Sequence, residues 1–102
     1  MKEYELYVPL TYNDGSPIEP EKIEGIGEQM LKQFGGVTFF PQPNEGLWRV
    51  GPVTFRDQVV IFRVLTENVR EARGFFRALK ENLKKELRQE EILIVEKDAE
   101  TL

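Results

Sequence analysis

The segment TFRDQVVIFRVL, residues 54–65, reads as the longest strand of the chain, and it is apolar on both sides of its pleat. Side chains alternate across a strand, so Val60, Phe62 and Val64 face one way while Phe55, Val59, Ile61 and Leu65 face the other. A strand of this kind needs cover on both faces. The same holds for three other extended runs. Tyr4, Leu6 and Val8 oppose Tyr7 and Pro9; Val37 and Phe39 oppose Thr38 and Phe40; Ile92 and Ile94 oppose Leu93 and Val95. Any sheet built from these runs has two faces to shield from water.

Between the runs lie two amphipathic segments. Residues 20–34 place Ile23, Ile26, Met30 and Phe34 on one helical stripe, open on Pro20 and acidic residues, and stop at Gly35-Gly36. Residues 67–88 repeat the pattern with Val69, Ala72, Phe76, Leu79, Leu83 and Leu87. Thr66 or Asn68 serves as the cap, and only Asn68 has an acidic residue, Glu71, at the capping-box distance. NDGSP at 13–17 is turn chemistry. Strands are expected at 4–10, 37–40, 54–65 and 92–95, followed by a polar tail, DAETL. Pro41 and Pro43 break the second strand, a turn follows at Asn44-Glu45-Gly46, and LWRV at 47–50 is an extra short extended segment. The order is β-α-β-β-α-β. That is the ferredoxin-like α+β signature: an antiparallel four-stranded sheet with two helices on one face, in one domain spanning 1–102.

Two helices cover one sheet face, and the other is apolar as well. The simplest cover is a second copy, so a homodimer through the helix-free face is expected. The alternative is the Pro-rich loop 41–52 folding back over its own sheet.

The chain has 102 residues, 40% of them hydrophobic, enough for one core without staples. It contains neither cysteine nor histidine. That removes thiol nucleophiles, disulfides, zinc–thiolate and imidazole metal sites, and His-dependent triads, and leaves any enzyme to use carboxylates, Lys, Tyr or a bound cofactor. The acidic residues lack calcium-loop spacing, and no metal site or cofactor is expected. The amino terminus alternates polar with apolar residues rather than forming a leader-type apolar run, and no stretch approaches a membrane span; a cytoplasmic location is expected. A net charge of −4 disfavours nucleic acid as the partner.

Chemistry is sparse. The stretch PQPNEGLWRV holds the only tryptophan, Trp48, beside Arg49, a pair able to stack on a planar ligand and fork onto an anion. The packing alternative makes Trp48 a buried anchor of the loop, or a dimer contact, with Arg49 at its rim. Prolines and Gly46 around it favour the anchor. Arg56 and Asp57 interrupt the apolar strand on opposite faces by alternation, with Gln58 on the face of Arg56 and Arg63 on that of Asp57. They could form a polar patch at one end of a sheet cavity, with Asp57 as a possible base; the simpler reading is strand-end charge paired to Glu45 or to a partner chain. Arg70, Arg73, Arg77, Lys80, Lys84 and Arg88 form a basic helical ridge, but interspersed glutamates make it a solvated face before a phosphate track. Gly25 and Gly27 fit close packing or helix fraying rather than a nucleotide fingerprint.

Through ELYVPL, NDGSP, GLWR and VVIFRVL, the chain resembles small uncharacterised bacterial proteins of the ferredoxin-like, dimeric α+β type. The resemblance is one of layout. The wider dimeric α+β barrel group is similar in topology and includes cofactor-free oxygenases of aromatic or quinone-like compounds. Their sites often use His, Asn and Trp, of which Asn44 and Trp48 are present here. Taken together, the sequence points to a non-catalytic homodimeric module binding a partner or small ligand. An oxygenase-like small-molecule enzyme comes second and a nucleic-acid-binding protein third.

Overall fold

In the computed structural model, which describes residues 1–102, the chain runs β1 (Lys2–Pro9), α1 (Pro20–Phe34), β2 (Thr38–Val50), β3 (Val53–Thr66), α2 (Val69–Glu86) and β4 (Ile94–Asp98). The strands form one sheet in the order β2-β3-β1-β4, with every neighbouring pair antiparallel. This is the ferredoxin-like arrangement expected from the element order.

Local chemistry sets the element ends. Asp14 accepts hydrogen bonds from the Ser16 N–H (2.9 Å) and hydroxyl (2.5 Å), with Gly15 at φ 87°, which a residue carrying a Cβ rarely adopts. Pro20 opens α1, where a missing N–H costs no helical bond, and Gly35 at φ 76° donates its N–H back to the Leu31 carbonyl. At the start of α2, the Asn68 side-chain Oδ1 accepts from the Glu71 N–H (3.2 Å), while the Asn68 side-chain Nδ2 donates to the Glu71 carboxylate (2.5 Å). Asn68, not Thr66, is therefore the cap.

One core lies between the helices and one sheet face. Ile26 and Met30 of α1 and Ala72, Phe76, Leu79 and Leu83 of α2 close over Tyr4, Leu6, Val8, Val60, Phe62 and Val64. Tyr4 stacks on Phe76 with centroids 4.8 Å apart. Gly27 lets α1 approach the sheet: a Cβ there would sit 3.1 Å from the Phe62 ring, so the close-packing reading of this glycine holds, whereas Gly25 meets nothing within 4 Å.

The largest differences from the boundaries read off the sequence are in β2 and β4, the other elements shifting by no more than two residues at either end. The second strand does not end at Pro41. β2 continues to Val50, and residues 47–50 are its far end rather than a separate segment; Asn44-Glu45-Gly46 is paired strand, not a turn. Pro41 and Pro43 are tolerated because β2 is an edge strand and because the register shifts between Phe40 and Asn44, so that residues 41–43 face Val60 alone. β4 starts two residues later than expected and runs into the polar tail. Cross-strand charge pairs hold it there: Lys97 with Glu5 (2.7 Å) and Glu3 (3.1 Å), and Lys2 with Asp98 (2.5 Å). No helix is long and apolar enough to cross a membrane.

Candidate functional site

The far half of the β2–β3 hairpin extends beyond the helices as an arm, closed by Gly51 at φ 59° and Pro52; residues 47–56 are all exposed. Trp48 lies opposite Phe55 and the rings stack at 5.6 Å. Trp48 is 46% exposed and Phe55 44%, so the expectation of a buried anchor is corrected. Phe55 is the one ring stacked on the indole, because residues 44–50 pair with β3 and the 41–52 stretch does not fold back across the sheet.

Alternation divides the four singled-out residues between two sides. Trp48 and Asp57 lie on the helix-free side, with Ile61 and Arg63; Arg49 and Arg56 lie on the other. Trp48 and Arg49 thus do not converge on one ligand. Arg56 reaches the Glu45 carboxylate at 3.4 Å, the strand-end ion pair anticipated for it. Asp57 is half-buried, and burial raises its carboxyl above the usual aspartate range. Thr11, Glu45, Arg56, Asp57 and Gln58 border an open polar hollow of about 360 Å³.

The helix-free face continues the arm's apolar side into the sheet. Val53, Phe55 and Trp48 lead to Phe40, Leu65 and Leu93, all exposed, with Tyr7, Ile61 and Val95 half-buried among them. Charge on this face is nearly balanced: Glu3, Glu5 and Asp57 against Lys97 and Arg63. Arg63 stands opposite Glu5 in register but lies over the Phe40 ring (5.3 Å) and has no carboxylate partner, since Lys97 holds Glu5.

A second polar constellation, on the helix side, escaped the sequence reading. Tyr4, Arg73, Phe76, Arg77, Lys80, Ile94 and Glu96 border an open hollow of about 240 Å³ between α2 and β4. The Tyr4 hydroxyl donates to Glu96 (2.6 Å), and Arg73 binds the same carboxylate through Nε (2.8 Å) and Nη2 (2.9 Å). The signal was available only in part. A tyrosine on the core-facing side of a strand needs a partner for its hydroxyl, but nothing local names Glu96 as that partner. Elsewhere on the basic ridge, Lys80 pairs with Glu91 (2.9 Å) and Lys84 with Glu81 (3.8 Å), as a mixed-charge helix surface does.

Burial, then the hydrogen bond to Glu96, pushes the Tyr4 hydroxyl up from 10.0 to about 12. Hydrogen bonds from Arg73 and then Tyr4 hold Glu96 down at about 2. The signs give two pH windows. Tyr4, raised in the fold, contributes stability that is complete below about pH 10 and lost as pH rises through about 12. Glu96, lowered in the fold, contributes stability present above its ordinary 4.5 and lost as pH falls through about 2. Ultraviolet titration of the phenolates, followed alongside circular dichroism, should show one tyrosine ionising late and together with unfolding. Tyr4→Phe should abolish that late phase. A tyrosine set that titrates uniformly near pH 10 would contradict it.

No protein-family model matches the chain, and no curated protein matches it by sequence. Solved structures do match it in shape. A phage SAM lyase in complex with S-methyl-5'-thioadenosine superposes with a TM-score of 0.68 at 15% identity, over 95% of this chain and 80% of the lyase. A mutant CutA1 from Pyrococcus horikoshii gives 0.61 at 14% identity, over 100% of this chain and 86% of that one. The divalent cation tolerance protein (Cut A1) from Thermus thermophilus gives 0.61 at 20% identity, over 100% and 88%. At these identities the likeness is one of fold.

Proposed function

We propose that the chain is a single-domain cytoplasmic module that acts as a homodimer, joined through the helix-free sheet face and the hairpin arm, and binds a partner or small ligand at the rim without chemistry of its own. The observation that carries this reading is the set of exposed apolar side chains on the helix-free face, Val53, Phe55 and Trp48 on the arm and Phe40 and Leu65 on the sheet, interrupted only by Asp57 and Arg63 along β3. A patch on this scale on a small protein marks an interaction surface. A second copy fits it better than an oppositely charged partner, because this face is nearly charge-balanced within a chain of net −4. Nucleic acid fits less well, since Glu67, Glu71, Glu81 and Glu86 interrupt the basic ridge and Arg73 is held by Glu96. Within the dimer, Trp48 and Phe55 act as the aromatic contacts of the arm.

Sedimentation equilibrium at micromolar concentration should return twice the chain mass, with Trp48 fluorescence blue-shifting as concentration rises. A monomer mass with concentration-independent emission would reject the reading.

A second reading, a small-molecule enzyme, is supported by the fold shared with the phage SAM lyase. It would use Asp57, kept basic by burial, as a proton acceptor. Incubation with S-adenosylmethionine tests it: formation of S-methyl-5'-thioadenosine that is lost in Asp57→Asn supports an enzyme, and no product, or product unchanged in Asp57→Asn, counts against it.

A further inference from the structure

On the side of the sheet away from that face, the hollow between α2 and the edge strand β4 has the parts of a ligand site. Its floor is apolar: the stacked Tyr4–Phe76 pair, both buried, and half-buried Ile94. Its rim is cationic. Arg73, Arg77 and Lys80 follow one another along α2 at spacings of four and three, which places them on one side of the helix. The single carboxylate inside the hollow, Glu96, is already satisfied by Arg73 and Tyr4 and offers little repulsion to an incoming anion. Arg77 has no carboxylate partner, and Lys80 is engaged only by Glu91, an exposed side chain that a better-placed anion can displace. This positive surplus sits on a chain whose net charge is −4, so basic composition does not account for it.

We propose that this hollow binds a compact organic anion, its charged head on Arg77 and Lys80 and its apolar body over Ile94 and the Tyr4–Phe76 pair. The Arg77 guanidinium presents forked donors that suit a carboxylate or a phosphate. The volume of about 240 Å³ lies below the range typical of drug-sized ligands, which selects a single ring or branched chain over a nucleotide. Arg73 is a positioning residue: bound to Glu96 through two nitrogens, it keeps that carboxylate out of the path of the ligand's head.

The test is a two-dimensional amide NMR titration of the full chain with benzoate, phenyl phosphate, inorganic phosphate and benzylammonium. Saturable shifts centred on Arg77, Lys80 and Ile94 are expected with benzoate, phenyl phosphate or both, and the stronger of the two identifies the head group. Inorganic phosphate should bind at least about tenfold more weakly for lack of a body, and benzylammonium should leave these amides unmoved. Arg77→Gln should weaken binding about tenfold or more, whereas Lys84→Gln, outside the hollow, should not change it. Arg77 is exposed, so the variant keeps its fold and its spectrum reports on binding alone. Non-saturating shifts spread over all basic residues, or equal affinity in Arg77→Gln, would overturn the site. Inorganic phosphate binding as tightly as phenyl phosphate would overturn the role of the apolar floor.

Discussion

Ile61→Asp is expected to leave a folded monomer, while Val60→Asp prevents folding. The two residues are neighbours in β3 but point to opposite faces. Val60 is 2% exposed and sits in the core under the helices; Ile61 is half-buried on the helix-free face, between Tyr7 of β1 and Phe40 of β2 in register. A carboxylate at Val60 has no partner and no water, a cost of several kcal/mol that is comparable to the whole stability of a small domain. At Ile61 in a lone chain the carboxylate reaches solvent. In a two-fold pair both copies would bury it, and a loss of about 4 kcal/mol weakens association about a thousandfold. Sedimentation equilibrium gives the mass, and circular dichroism reports the fold. If Ile61→Asp still associates like the parent chain, the helix-free face is not the interface.

Phe76→Ala is expected to cost about 3–5 kcal/mol of folding stability, and Trp48→Ala only about 1 kcal/mol in the monomer. Phe76 stacks on Tyr4 at 4.8 Å and on Phe34 at 5.5 Å inside the core, so truncation leaves a cavity ringed by aromatics that cannot all collapse into it. Trp48 has one stacked neighbour and open solvent, so its removal forfeits little more than one cross-strand aromatic pair. Its larger effect should appear in association. Chemical denaturation of both variants in the Ile61→Asp background separates the two contributions. A Trp48→Ala cost equal to that of Phe76→Ala there would restore Trp48 as an anchor of the lone chain.

The two helices, the turn at 13–17, the order of the elements and the presence of apolar side chains on both sheet faces were legible in the sequence, which also favoured Asn68 over Thr66 as the cap through the spacing to Glu71. Each of these follows from residues within a turn or two of one another, whose periodicity, φ preference and capping chemistry act locally. The division of Arg56 and Asp57 between opposite sides was legible for the same reason, since alternation is a property of one strand. Tertiary structure alone decided the rest. Prolines at 41 and 43 break a central strand but not an edge strand with a register shift, and whether β2 lies at an edge is set by which strands find it. The extension of β4 through Glu96, Lys97 and Asp98 depends on Tyr4, Glu3 and Lys2 of β1 lying opposite them. Trp48 is exposed because it lies on the helix-free side of the arm, which no other segment of the chain covers. The Tyr4–Glu96–Arg73 network joins residues as far as 92 positions apart, and a side chain carries no local signal of a hydrogen-bond partner that only the closed sheet brings within reach.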